Sequence, residues 1–270
     1  MIGVFDSGVG GLSVLRALHA AIPGTPLCYV ADSAYAPYGE RPMAEVHARS
    51  ALIAQHLVSL GAAGIVVACN TATAIAIDHL RARWPNLPVV GIEPGLKPAI
   101  AATRNRRIGV MATPATLASA PFAKLAAAQT DGAFALLQPC PGLAQHIETG
   151  DLDAPELIAL VRRFCEPLRR AKVDTVVLGC THYPLIAHHI QAAVGPHVKL
   201  IDTADAVASH AATRFGSNLD GYGPSAANPT GIKLLSTGDP AALQRLADAW
   251  LPSATSVARV ELDQPAARAA

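Results

Sequence analysis

"IVVACNTATAI" (65–75) and "VVLGCTHYPLI" (176–186) decide how this chain is built. Each is an apolar run, a small residue, a cysteine, two polar residues and the start of a helical pattern. Their cysteines, Cys69 and Cys180, stand 111 residues apart (69 to 180). "IGVFDS" (2–7) and "IGVMAT" (108–113) repeat at the similar offset of 106 residues (2 to 108). Repetition on this scale implies two related α/β halves, each carrying a cysteine to the tip of a strand.

Around these segments, short β-branched runs alternate with longer helical patterns, the rhythm of an α/β protein with parallel sheets. Strands are expected at Ile2–Phe5, Leu27–Ala31, Ile65–Ala68, Val89–Ile92, Ile108–Met111, Ala133–Leu137, Thr175–Leu178 and Val198–Ile201. Several are apolar throughout, as strands covered by helices on both faces should be. A helix is expected over Met43–Leu60, with Val46, Ala54, Leu57 and Leu60 at helical spacing. "GSNLDGYGPSAANPTG" (216–231) reads as a long loop, followed by a further strand–helix unit in "IKLLSTGD" and "PAALQRLADAWL". The tail "DQPAARAA" reads as frayed.

The 270 residues, 51% hydrophobic and 15% charged, suffice for one large domain or two ordinary ones. A net charge of +1, from 21 basic and 20 acidic residues with no dense Lys/Arg run, argues against nucleic acid as partner. The five cysteines are odd in number and lack C-x-x-C spacing, which points to reduced thiols in a cytoplasm. "MIGVFDSG" lacks the basic start and apolar stretch of a signal peptide, and the apolar "GIVVACNTATAIAI" is too short to cross a bilayer. The expected partner is therefore a small molecule, not a nucleic acid or a membrane, and a homodimer is left open.

Ligands of open α/β sheets bind beyond the carboxyl ends of the strands. Asp6, Asp32, Cys69 and Cys180 all fall there. Cys28 and Cys165 read as small buried hydrophobes, lying within a strand and a helix. Cys69 and Cys180 instead leave their strands beside Asn70–Thr71 and Thr181–His182. Each directly precedes an expected helix, whose N–H groups favour negative charge on sulfur. His182 can polarise Cys180, and Asp6 can take or share the proton of Cys69.

"DSGVGG" (6–11), followed by Asp32, imitates a dinucleotide fingerprint. Its third glycine is missing, because Ser13 stands there, and Asp6 would set a carboxylate against the pyrophosphate. A small ligand near Asp6 and Ser7 fits better. No metal site is expected: His182 and His188 do not share a helix face, and His188 and His189 read as solvated surface. No lysine stands out as a Schiff-base former; Lys97 in "GLKPA" lacks a phosphate-binding loop.

Taken together, "FDSGVGGLSVL", "PYG" (37–39), "ACNTAT" (68–73), "GIEPG" (91–95), "GCTHYPL" (179–185) and "TGDP" (237–240) resemble the glutamate racemases, in order along nearly the whole chain. Ala112 and Phe122 depart from the family's usual Gly and Tyr. The resemblance implies an isomerase that interconverts L- and D-glutamate without a cofactor and supplies D-glutamate to cell-wall peptidoglycan, hence to cell shape. It implies two α/β domains facing across a cleft, residues 1–94 with 211–270 and residues 95–210. Cys69 and Cys180 are then the acid/base thiols, helped by Asp6 and by His182, with Glu148 of "HIETG" a further acid near the second thiol. Ser7, Asp32, Tyr38, Gly39, Asn70, Thr71, Thr181 and His182 match positions that contact substrate. The rival readings are a Cys/His hydrolase or transferase, a non-catalytic amino-acid or nucleotide binder, and a racemase of aspartate.

Overall fold

The computed structural model describes residues 1–129, 132–216, 231–251 and 256–262. Most of the long loop expected at 216–231, and the tail from 263, lie outside the described residues.

The first half runs β1 (Ile2–Asp6), α1 (Leu12–Ala21), β2 (Leu27–Ala31), α2 (Met43–Ser59), β3 (Gly64–Val67), α3 (Asn70–Arg83) and β4 (Val89–Gly91). The second runs α4 (Leu96–Ala102), β5 (Arg107–Ala112), α5 (Pro114–Ala118), α6 (Ala120–Gln129), β6 (Phe134–Pro139), α7 (Leu143–Glu148), α8 (Pro155–Arg170), β7 (Thr175–Gly179), α9 (Ala187–Val194) and β8 (Lys199–Ile201). Then come α10 (Ala204–Phe215), β9 (Ile232–Ser236), α11 (Pro240–Trp250) and β10 (Val257–Arg259).

All the pairings are parallel. One sheet has the order β10-β9-β2-β1-β3-β4, the other β6-β5-β7-β8. The run β2-β1-β3-β4 thus has the same connectivity as β6-β5-β7-β8, and the sequence repeat is a repeat of topology. In each half the strand order reverses beside the first strand, between β1 and β3 or between β5 and β7. A crevice opens at such a switch point, and here it receives Asp6 with Cys69 and Thr113 with Cys180.

The uninterrupted apolar strands follow from packing on both faces. Ile2 and Val4 of β1 join one buried cluster, whereas Phe5 joins the cluster on the opposite side with Ile53, Leu57 and Val67. In β7, Val176 and Leu178 face one way and Val177 faces Ile108 and Val110. Since side chains alternate along a strand, burial on both sides demands an apolar residue at every step. One cluster continues across both halves, through Val9, Leu12, Ile147 and Tyr183.

Two expectations shift. Leu60 caps the C-terminus of α2 and is exposed, so the helix ends one residue early. Strand β6 lies at a sheet edge and exposes Phe134 and Leu137, with Arg107 stacked 4.5 Å from the Phe134 ring. The short strand β10 carried no sequence signal; it holds only three residues, and two of them are exposed. Among the described residues no helix is long and apolar enough to cross a membrane.

Candidate active site

A tight pocket, with a free volume of about 10 Å³, lies at the paired switch points. Cys69, Asn70, Thr71, Ser7, Tyr38 and Gly39 line it from the first half, and Thr113, Ala144, Cys180, Thr181 and His182 from the second. Both thiols are buried, and all five cysteines of the chain are free.

Cys69 is the N-cap of α3: its sulfur accepts the Ala72 N–H at 3.4 Å. A thiolate here is met by backbone donors and the positive end of the helix. Cys180 differs from expectation. A single 3-10 turn (Tyr183–Ile186), with Pro184 inside it, separates Cys180 from α9. This sulfur instead meets an imidazole, with His182 Nδ1 at 3.6 Å.

Each thiol has its own relay. On the first side, Cys69 Sγ lies 3.9 Å from Ser7 Oγ, and the Ser7 hydroxyl donates to Asp6 Oδ1 at 2.9 Å. Asp6 therefore reaches Cys69 through Ser7 rather than directly. Its other oxygen accepts the Thr181 hydroxyl of the opposite half at 2.7 Å. On the second side, His182 Nε2 meets Glu148 Oε1 at 2.5 Å, and the same oxygen accepts the Val9 N–H of the first half at 2.9 Å.

The electrostatics of the sides differ. Burial pushes the Cys69 thiol up, and the nearby Asp6 charge adds to this. Burial likewise raises Asp6, against the His182 charge and the hydrogen bonds from Thr181 and Ser7. For His182 burial acts to lower the pKa, but bonding to Cys180 and Glu148 prevails and holds it well above the ordinary value. Cys69 is thus favoured as the neutral thiol, while His182 is favoured as an imidazolium that offers Cys180 a countercharge.

The glycines of "DSGVGG" have a use unrelated to phosphate. A Cβ at Gly8 would fall 1.7 Å from Glu148 Oε1, and one at Gly10 2.7 Å from His182 Nδ1 and Thr181 Oγ1. Gly8 and Gly10 lack side chains because the opposite half presses against them, and Gly11 because Tyr29 and Asp6 of its own half do.

Asn70 is buried, and neither its amide nitrogen nor its amide oxygen has a partner among the described residues. Buried amides are rarely left this way. Both atoms are free to bond a polar ligand. Thr71 is tied across the seam, with its hydroxyl 3.0 Å from that of Thr113.

Asp32 does not line the pocket. Arg49 grips it through Nη2 at 2.7 Å and Nε at 3.0 Å, and the hydroxyls of Tyr38 (2.5 Å) and Thr237 (2.8 Å) complete the set. It anchors the Tyr38 segment to the sheet. His188 and His189 also stand outside the pocket, both near Asp153. Arg49, Thr113 and Thr237 were not singled out from sequence. The repeat held a signal for Thr113, since "IGVMAT" sets it where "IGVFDS" sets Ser7. Thr237 stood only within the "TGDP" motif, with no role given to it, and Arg49 gave no signal.

The chain is similar to the glutamate racemase of Methylococcus capsulatus, with 49% identity over 79% of each chain. It is similar to that of Ralstonia nicotianae at 44%, over 98% of this chain and 94% of the other. Among solved structures, glutamate racemase RacE1 of Bacillus anthracis superposes with a TM-score of 0.84 at 32% identity, over 97% of both chains. The model of the Asp/Glu/hydantoin racemases matches residues 2–211. With paired thiols at the switch points of a duplicated sheet, the chain belongs to the Asp/Glu/hydantoin racemase family.

Proposed function

We propose that this chain is a glutamate racemase that passes the α-proton between Cys69 and Cys180 without a cofactor. The observation that carries this reading is the placing of two buried thiols, each with a separate proton relay, on opposite walls of one pocket. One sulfur, as thiolate, removes the proton from one face of Cα; the other, as thiol, returns one to the opposite face. In the reverse direction the roles exchange. By family resemblance Cys180 takes the proton of L-glutamate and Cys69 that of D-glutamate.

The helpers divide accordingly. Ser7 and Asp6 serve Cys69, and His182 with Glu148 serves Cys180. Each general acid–base contribution is worth about 10²–10⁴-fold. The free amide of Asn70, with Thr71 and Thr181, is suited to hydrogen-bond the substrate carboxylate as charge develops on it. A one-thiol hydrolase would leave the second relay without work, and the relatives' names favour glutamate over aspartate. The pocket's free volume of about 10 Å³ is far below the roughly 300–1,000 Å³ usual for ligand sites, so entry requires the walls to part.

The proposed units are residues 1–94 with 211–270 and residues 95–210. The strands of each sheet come from one unit alone, which supports the division. The second boundary crosses α10, and that helix packs on α1. Free thiols fit a cytoplasmic setting, where the D-glutamate made would serve peptidoglycan synthesis. The deciding test follows L- and D-glutamate in deuterium oxide with chelator-treated enzyme and no cofactor. Deuterium should enter the α position, and circular dichroism should decay to zero from either enantiomer. Turnover without deuterium, or none at all, would overturn the reading.

A further inference from the structure

Asp153, on the loop between α7 and α8, meets His188 and His189 of the first turn of α9, away from the thiol pocket. Asp153 Oδ1 lies 2.9 Å from His189 Nε2 and 3.7 Å from His188 Nε2. The Leu152 carbonyl oxygen lies 3.0 Å from the same His189 nitrogen. The ligand atoms of the three side chains all fall within 4.8 Å of one another. Consecutive helix positions point about 100° apart, yet both imidazoles turn toward one carboxylate, with ring centroids 3.9 Å apart.

We infer that Asp153, His188 and His189 form a site for one divalent transition-metal ion of the zinc class. Two imidazoles and a carboxylate suit zinc, cobalt, nickel or copper, whereas magnesium and calcium prefer oxygen alone. Ligands at zinc bond lengths around a tetrahedral ion stand about 3.3 Å apart. The two nitrogen–oxygen distances of 2.9 and 3.7 Å bracket that spacing. His189 is largely buried, so its nitrogen is already aimed; His188 is 61% exposed and free to turn onto the ion. The ion takes the place of a proton shared between imidazole and carboxylate, with the Leu152 carbonyl as fourth ligand.

Its consequence lies in what the ligands connect. Asp153 follows Glu148 by five residues, and His188 follows His182 by six. The bound ion would tie the segment leaving one member of the His182–Glu148 pair to the segment leaving the other. This goes beyond racemisation and takes no part in the proton transfer.

The test titrates Co²⁺ into the full chain at about pH 7.5. One ion should bind, with ligand-field bands of nitrogen and oxygen ligation and no thiolate-to-cobalt charge transfer. H188Q/H189Q should weaken binding at least about tenfold, and D153N, a variant on the other segment, should do so independently. Bound Co²⁺ should slow amide exchange over residues 149–154 in the unaltered chain alone. Equal binding by the unaltered chain and both variants, or cobalt spectra of thiolate ligation alone, would overturn the site.

Discussion

Thr181 donates a 2.7 Å hydrogen bond to Asp6 Oδ2 across the pocket, so the carboxylate behind one thiol is held by the residue that follows the other. A side chain of the second half thus holds the carboxylate that serves Cys69, and removing Asp6 does not disturb Cys69 alone. Asp6→Asn should lower kcat/KM about 10²-fold or more with either enantiomer. The α-deuterium isotope effect should change for both substrates. A change confined to D-glutamate would show that the Thr181 bond has no bearing on catalysis.

Ser7→Ala cuts the link between Asp6 and Cys69 and leaves the Asp6–Thr181 bond in place. The equilibrium constant near one ties the two directions of kcat/KM together, so the defect should appear in isotope effects. With α-deuterated D-glutamate the effect should grow, and with α-deuterated L-glutamate it should grow less. Equal growth for both would remove Ser7 from the Cys69 relay.

Cys69→Ala and Cys180→Ala should each reduce racemisation by about 10³-fold or more while melting remains cooperative. Cys28, inside β2 and buried, is the control. Cys28→Ala should cost stability through a small cavity and leave turnover near that of the unaltered enzyme. Substantial racemisation by either pocket variant would contradict the two-thiol mechanism.

His182 is held above its ordinary pKa by Cys180 and Glu148, so the folded state keeps its proton to higher pH than the unfolded chain does. That stabilisation is full below about pH 6.5, the unfolded value, and is lost as pH rises through the folded pKa. In denaturant titrations the unaltered protein should lose stability relative to His182→Asn on raising the pH above this point. The slope should be at most about 1.4 kcal/mol per pH unit for one proton. A flat difference between the two proteins would show that the imidazolium is not favoured in the fold.

Arg49 neutralises a fully buried Asp32. Arg49→Leu should destabilise by about 3–5 kcal/mol, because an unpaired buried carboxylate remains. Arg49→Lys should cost less, since it keeps the charge and loses the fork. In both, Asp32, which holds the Tyr38 hydroxyl, is itself less firmly fixed, and KM should rise more than kcat falls. Stability unaffected by Arg49→Leu would mean that Asp32 finds another partner.

Most of the fold could be read from the sequence because its strands are buried on both sides and its halves repeat. The eight strands expected from apolar runs occur, with ends shifted by a residue or two. Strand β10 escaped because three residues at a sheet edge need no apolar pattern. Within the pocket, Cys69, Cys180 and their flanking polar residues stood out by position at strand tips. The anchoring of Asp32 did not. Its partners Tyr38, Arg49 and Thr237 lie 6, 17 and 205 residues away, and only the folded chain brings them together. The glycines of "DSGVGG" read only as an incomplete dinucleotide fingerprint, whereas Gly8 and Gly10 make room for Glu148, His182 and Thr181 of the other half.

The four-strand unit is duplicated, yet Asp6 is matched by Ala112 and the Asn70–Thr71 pair by Thr181–His182. An amino acid carries four unlike groups on its α-carbon and so has no twofold axis. A cradle with perfect twofold symmetry would offer the carboxylate and the amine the same partners in either orientation. It could not tell a ligand from the same ligand rotated by half a turn, and either thiol could face the hydrogen of one enantiomer. In the proposed reaction the divergence of the copies thus fixes one pose for each enantiomer: two matching walls would serve the two faces of the carbon, and their mismatched residues would give the guest a head and a tail.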